Sequence, residues 1–413
     1  MNPEAIVSNA DGQRRWAAAL MDNYGTPPIT LARGDGAYVW DVEGNRYLDM
    51  FAGVAVNALG HAHPAVVRAV TEQVGTLGHA SNFYSHRPGL ELAERLLDLC
   101  GTPGNGKVLF CNSGAEANET ALKITRLTGR TKVIACDGGF HGRTMGSLAL
   151  TGQPSKREPF EPLVPGVVHI PYGDVAALES EVDSETAAVF VEPVLGEGGV
   201  RPAPDGYLRS ARELTNTAGA LLVLDEVQTG VGRLGSWFGF QQAGITPDVV
   251  TLAKGLGGGM PLGACLGVGA AGDLLRPGQH GTTFGGNPVC VAAGLAVLRT
   301  IAEEGLCERA AVLGKDLAAG IEDLGHSLVS GVRGAGLLLG VTLHEPVAAT
   351  VATSAREAGY LINPVAPDVI RLAPPLVLGH DQVETFLTDL PAALHAATTT
   401  NEEALDDTAF PAR

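Results

Sequence analysis

The stretch DVVTLAKGLGGGMPLG sets Lys254 directly after an apolar run, with Gly255, Gly257, Gly258 and Gly259 behind it. A lysine at a strand end can simply reach water. Held in a partly desolvated site, its amine pKa falls and it becomes a nucleophile toward aldehydes. The glycines are expected to let backbone pass close to a bound ring. In LLVLDEVQTGVGRLG, Asp225 and Glu226 close a second apolar run. A carboxylate there can cap the next turn. A buried one needs a cationic partner, and a protonated heterocyclic nitrogen would serve.

Three further stretches supply binding groups. FCNSGAEANETALKITR turns through Ser113, Gly114 and Ala115 into a helix. Free amides at a helix start, with the helix dipole, attract an anion; ordinary N-capping by Asn112 or Ser113 is the alternative. GGFHGRTMGSLALTG carries Phe140 and His141 before Arg143. The ring could stack on a flat cofactor and the guanidinium could clasp a carboxylate. HGTTFGGNP puts Thr282 and Thr283 before a helix start, where they could bind a phosphate oxygen or cap. An amine for an aldehyde, an acid for a ring nitrogen, an aromatic face and an anion cup are the parts that pyridoxal 5′-phosphate requires.

These parts sit at the ends of short β-rich runs: KVLFCN, KVIAC, AAVFVEPV, ALLVLD, DVVTL and ACLGV. Helical patterns or long loops separate most of them. Continuous apolar strands alternating with helices indicate a mainly parallel sheet covered on both faces. Sites on such sheets form beyond the carboxyl ends of the strands, where Asn112, Glu192, Asp225 and Lys254 lie. Upstream, GAYVWDVEGNRYLDMF alternates around Glu43-Gly44-Asn45 and predicts a hairpin. The chain is expected to divide into an N-terminal segment (1–60) that packs with the small domain, a large domain (61–305), a small α+β domain (306–397) and a disordered tail (398–413).

The composition limits the function classes. The 413 residues are 45% hydrophobic and carry a net charge of -17, which disfavours nucleic acid and anionic membrane partners. The apolar stretch Val289–Leu298 ends at Arg299, too soon to span a membrane. The six cysteines show no C-x-x-C spacing and are expected as buried free thiols, with no metal. The N-terminus lacks an export pattern, so a soluble cytoplasmic protein is expected.

The motifs NYGTPPI, NSGAEANE, FHGRTMGSLALTGQ, LLVLDEVQTGVGR, PDVVTLAKGLGGGMPLGA and TTFGGNP, over about residues 15–397, resemble those of the ornithine-type (subgroup III) aminotransferases. The resemblance implies the α/β architecture of fold-type I pyridoxal-phosphate enzymes, with a seven-stranded, mainly parallel sheet in the large domain. It implies that Lys254 holds the cofactor as an internal Schiff base and moves the proton. Asp225 would keep the pyridine nitrogen protonated, Gln228 would bond the ring hydroxyl oxygen, and Phe140 would stack on the ring. Ser113, Gly114 and Ala115 would hold the phosphate, with Thr283 completing the cup from the other subunit of a homodimer.

For the substrates, Arg143 would bind the α-carboxylate when a distal amine reacts, with Thr282 beside that substrate. Arg371 would bind the α-carboxylate of glutamate or 2-oxoglutarate, and Glu197 would pair with Arg371 in the other half-reaction. The implied activity is ping-pong transamination between N2-acetylornithine and 2-oxoglutarate, in arginine biosynthesis. Ornithine, succinylornithine, succinyldiaminopimelate and 4-aminobutyrate are the alternative amines. Leu195, Gly138-Gly139 and Thr282 depart from the residues commoner in that family, and each touches pocket shape. A non-catalytic α/β binding protein would suit the scaffold but not the joint presence of Lys254, Asp225, Gln228 and both arginines.

Overall fold

In the computed structural model, which describes residues 6–407, the apolar runs form a seven-stranded sheet. Its order is Gly106–Cys111, Gly263–Val268, Val249–Leu252, Leu221–Asp225, Thr186–Val191, Lys132–Cys136 and Val167–Ile170. Gly263–Val268 runs antiparallel to both neighbours, and the other pairings are parallel. This is the mainly parallel sheet expected. The run Val167–Ile170 was not among the expected strands.

Alternation along each strand divides the core in two. Leu222 and Leu224 join Tyr207 and Ala211 of the helix Tyr207–Ala218 in one apolar cluster. Val223 joins Ala121 and Ile124 of the helix Gly114–Arg126 in another. Thr186–Val191 is buried at every position, as a strand covered on both faces must be. The free thiols Cys100, Cys111, Cys136 and Cys265 are buried, and Cys290 and Cys307 are partly so.

Register then places the polar strand ends. Asp225 pairs with Thr251, three residues before Lys254. Gly263 pairs with Cys111, two residues before Ser113. The carboxylate, the lysine and the start of the helix Gly114–Arg126 therefore meet at one edge of the sheet.

A second, antiparallel sheet has the order Val329–Ala335, Leu338–Leu343, Val369–Leu372, Asn363–Ala366. It carries Arg371 opposite Gly340 and Asn363. The predicted hairpin, Tyr38–Asp41 with Arg46–Asp49, belongs to a separate small sheet that also takes the strand Tyr360–Leu361. The final helix is His380–Asp407. Phe386, Leu390, Leu394 and Ala397 anchor its first turns in the core, and an anchored helix propagates at little cost. The expectation of disorder for 408–413 falls outside the described residues. No helix among the described residues is long and apolar enough to cross a membrane, and they contain no cluster of potential metal ligands.

Candidate active site

Lys254 begins a short 3-10 turn, Lys254–Gly257, with φ 44°. That left-handed conformation is uncommon for a side-chain-bearing residue and is sustained only by its surroundings. The glycines behind it explain part of this, though not as expected. None of Gly255, Gly257, Gly258 or Gly259 lines the pocket. A Cβ on Gly258, itself at φ 55°, would lie 2.6 Å from Val297 Cγ2 of the helix Pro288–Glu303. Gly258 thus lets that helix pack against the lysine turn.

The pocket is small, about 50 Å³. Its lining includes Lys254, Asp225, Gln228, Glu197, Glu192 and Phe140, together with Gly114, Ala115, Asn118 and His141. Burial pushes the Lys254 ammonium below the usual lysine range; Glu197 opposes this and Arg371 adds to it. No hydrogen bond or ion pair to a described residue occupies its Nζ.

Asp225 is 3% exposed and tightly oriented. Its Oδ2 accepts from Asn118 Nδ2 at 2.7 Å and lies 2.8 Å from His141 Nδ1. Its Oδ1 accepts from the Val227 amide at 3.0 Å, so the turn-capping role is present too. Asn118 Oδ1 accepts from Thr251 Oγ1 at 2.8 Å, which fixes the amide's orientation. Burial works against a charged His141, but the Asp225 hydrogen bond and charge outweigh it and hold the imidazole above its ordinary pKa. Glu192 accepts from the amides of Phe140 at 2.9 Å and Gly196 at 3.2 Å. Burial raises its pKa to about 7.

At the other end, Arg371 is 2% exposed. It donates to Glu197 Oε1 at 2.5 Å, Gln228 Oε1 at 3.1 Å and Asn363 Oδ1 at 2.9 Å. Its Nε has no partner among the described residues. Burial raises the Glu197 pKa, but Arg371 and Lys254 prevail and hold it below the usual range. Arg143 is exposed, with its guanidinium 5.5 Å from the Phe140 ring centre.

The helix start is arranged as a cup. Ser113 Oγ accepts from the Glu116 amide at 3.2 Å, an N-cap that leaves its hydroxyl proton to donate elsewhere. A Cβ on Gly114 would meet Val227 Cγ1 at 2.7 Å, so only glycine fits there. Thr282 and Thr283 do not line this pocket. Thr282 Oγ1 accepts from Asn112 at 3.1 Å, and Thr283 is exposed. Leu195 is fully buried, and a Cβ on Gly139 would meet the Cys136 carbonyl at 3.0 Å.

Sequence reasoning passed over Asn118 and Thr251, and gave His141 and Glu192 no role. One signal was available for Asn118. It lies four residues after Gly114, hence on the same helix face one turn below the cup. Glu192 and His141 become neighbours of Asp225 only through tertiary packing.

The donor set suits pyridoxal phosphate on its own chemistry. Helix-start amides face one end, a buried oriented carboxylate lies deep in the pocket, and an amine without a partner faces the same space. A protein with this sheet and this site belongs to a class of lysine-and-carboxylate α/β enzymes.

Comparison with known proteins narrows the class. Residues 20–394 match the aminotransferase class-III family. A protein of Mycolicibacterium smegmatis called acetylornithine aminotransferase is 64% identical over 93% of this chain and 98% of its own length. One of the same name from Streptomyces coelicolor is 60% identical over 95% and 98%. Among solved structures, the ornithine aminotransferase of Toxoplasma gondii superposes with a TM-score of 0.91 at 32% identity, over 96% of both chains. An acetylornithine aminotransferase from Elizabethkingia anophelis gives 0.83 at 34%, over 94% and 98%. The chain belongs to the class-III aminotransferases.

Proposed function

We propose that this chain is a pyridoxal-phosphate-dependent aminotransferase. The observation that carries the reading is the shared pocket of Lys254 and Asp225 beneath the start of the helix Gly114–Arg126. The particular reaction is transfer of the δ-amino group of N2-acetyl-L-ornithine to 2-oxoglutarate, giving N-acetyl-L-glutamate 5-semialdehyde and L-glutamate, a step of arginine biosynthesis. The name shared by the actinobacterial relatives supports it.

When bound, pyridoxal phosphate supplies an aldehyde for amines and a ring that draws electrons from the carbon bearing the amine. Ser113 and the Gly114 and Ala115 amides would hold its phosphate, Phe140 would pack on its ring and Gln228 would bond its ring oxygen. Asp225 keeps a proton on the ring nitrogen. Lys254 Nζ would hold the cofactor covalently and would be the group to move the proton at the substrate carbon.

Arg371 and Glu197 explain two substrates in one pocket. When glutamate or 2-oxoglutarate is bound, Arg371 pairs with the α-carboxylate. When the acylated ornithine presents its distal amine, Glu197 neutralises Arg371 and Arg143 takes the remote carboxylate. Thr282 lies beside that substrate. With 2-oxoglutarate as acceptor, kcat/KM for N-acetylornithine should exceed that for free ornithine and for 4-aminobutyrate by about tenfold or more. Equal values would overturn the substrate assignment. Glu197→Gln is expected to cost the ω-amine half-reaction several-fold more than the glutamate half-reaction, read as separate single-turnover rates.

The working unit is a homodimer. Thr283 does not line its own pocket, and the exposed rings of Phe83, Tyr84 and Phe284 lie on the segments around it, where Asn82 donates to the carbonyls of Thr282 and Gly285. Thr283 reaches the phosphate of the other subunit's site. Sedimentation at the mass of one chain would overturn this.

A further inference from the structure

Lys156 lies in the short helix Pro154–Arg157, outside every motif discussed above. Its half-buried Nζ sits 5.0 Å from the centre of the Phe140 ring, the ring that Arg143 approaches at 5.5 Å. The ammonium donates to Gln153 Oε1, and Gln153 Nε2 donates to the Gly138 carbonyl at 3.1 Å. The lysine is thereby tied to the loop that presents Phe140 to the pocket. It forms no ion pair with a described residue, although Glu197, Glu192, Arg143 and Arg371 all act on it electrostatically. Burial and the two arginines depress its pKa, against the pull of the carboxylates.

Such a placement is costly unless something compensates. A half-buried cation held only by a neutral amide oxygen and an aromatic face has no charge partner. An anion arriving at the outer side of Phe140 would relieve it. Arg143 approaches the same ring and acts on Lys156 electrostatically, so two cations gather at Phe140, while Arg371 pairs with Glu197.

We propose that Lys156 is a second binding group, beside Arg143, for the substrate carboxylate remote from the reacting carbon. That carboxylate is the distal one of glutamate or 2-oxoglutarate, and the α-carboxylate of the acylated ornithine. The inference rests on the aminotransferase reading. It adds a selectivity determinant: Lys156 favours dicarboxylate acceptors over 2-oxo monocarboxylates of equal length.

The test is equilibrium binding to the purified holoenzyme, which needs no turnover and no assumption about the amine. Calorimetric titration with glutarate and with pentanoate compares two and one carboxylates on the same carbon chain. Lys156→Met should weaken glutarate by about tenfold, the scale of one partly desolvated charge pair, and leave pentanoate within about twofold. Lys156→Arg should restore most of the glutarate affinity. In turnover, KM for 2-oxoglutarate should rise in Lys156→Met far more than kcat falls, with 2-oxopentanoate showing no such rise. Equal weakening of both ligands, or unchanged glutarate affinity, would overturn the proposal. Failure of the wild-type protein to bind or use any 2-oxo acid would instead overturn the aminotransferase reading.

Discussion

Lys254→Ala is expected to remove the visible absorbance band of the purified protein and to lower kcat by on the order of 10⁴-fold or more. Two functions leave with one side chain. Among the described residues Lys254 is the only lysine lining the pocket, so none of them can take over the covalent link. It is also the group placed to move the proton at the substrate carbon. Burial lowers its pKa and so favours the neutral, nucleophilic amine. The φ of 44° adds a second consequence. Alanine must hold the same left-handed backbone, so part of any loss could arise from a disturbed turn. Lys254→Arg separates the two: it keeps a cation and a long stem but cannot form the link. Reduction with borohydride followed by peptide mass mapping gives a readout independent of turnover. The wild-type peptide containing Lys254 should carry a pyridoxyl adduct, and its absence would sink the assignment.

Much of this site was legible because its residues sit where chain direction and strand end coincide. Asp225 and Lys254 each close an apolar run, and parallel strands bring such ends to one edge. The capped helix after Ser113 was equally plain, since serine followed by glycine and a periodic helix is a local signal. The strand Val167–Ile170 escaped because it is four residues long, carries His169 and lies at the sheet edge, where burial is incomplete. The contact of Gly258 with Val297 left no periodic trace, because it joins segments far apart in the chain. Lys156 was invisible for a related reason. Nothing local distinguishes it from a solvated lysine, and only the fold sets it against Phe140.

Asp225→Asn should lower kcat by about 10²–10³-fold while the protein still binds pyridoxal phosphate, because the phosphate cup and Lys254 are untouched. The substitution preserves volume and removes charge. Its effect extends past the ring nitrogen. Asp225 Oδ2 now accepts from Asn118 Nδ2 and faces His141 Nδ1. Asn118 cannot reverse its amide without losing Thr251, whose hydroxyl donates to Asn118 Oδ1. An asparagine at 225 must therefore offer its own carbonyl oxygen to Asn118, which turns its NH2 toward Val227 N–H and leaves that amide without an acceptor. The buried imidazole responds as well. With the carboxylate gone, only the Glu192 charge still opposes burial, and the His141 pKa should fall. Nitrogen chemical shifts of His141 across a pH titration read that change directly. Asp225→Glu provides the control: charge retained but displaced should keep the imidazole protonated while still costing kcat. An Asp225→Asn enzyme with wild-type kcat would mean that the ring nitrogen is not served by this carboxylate.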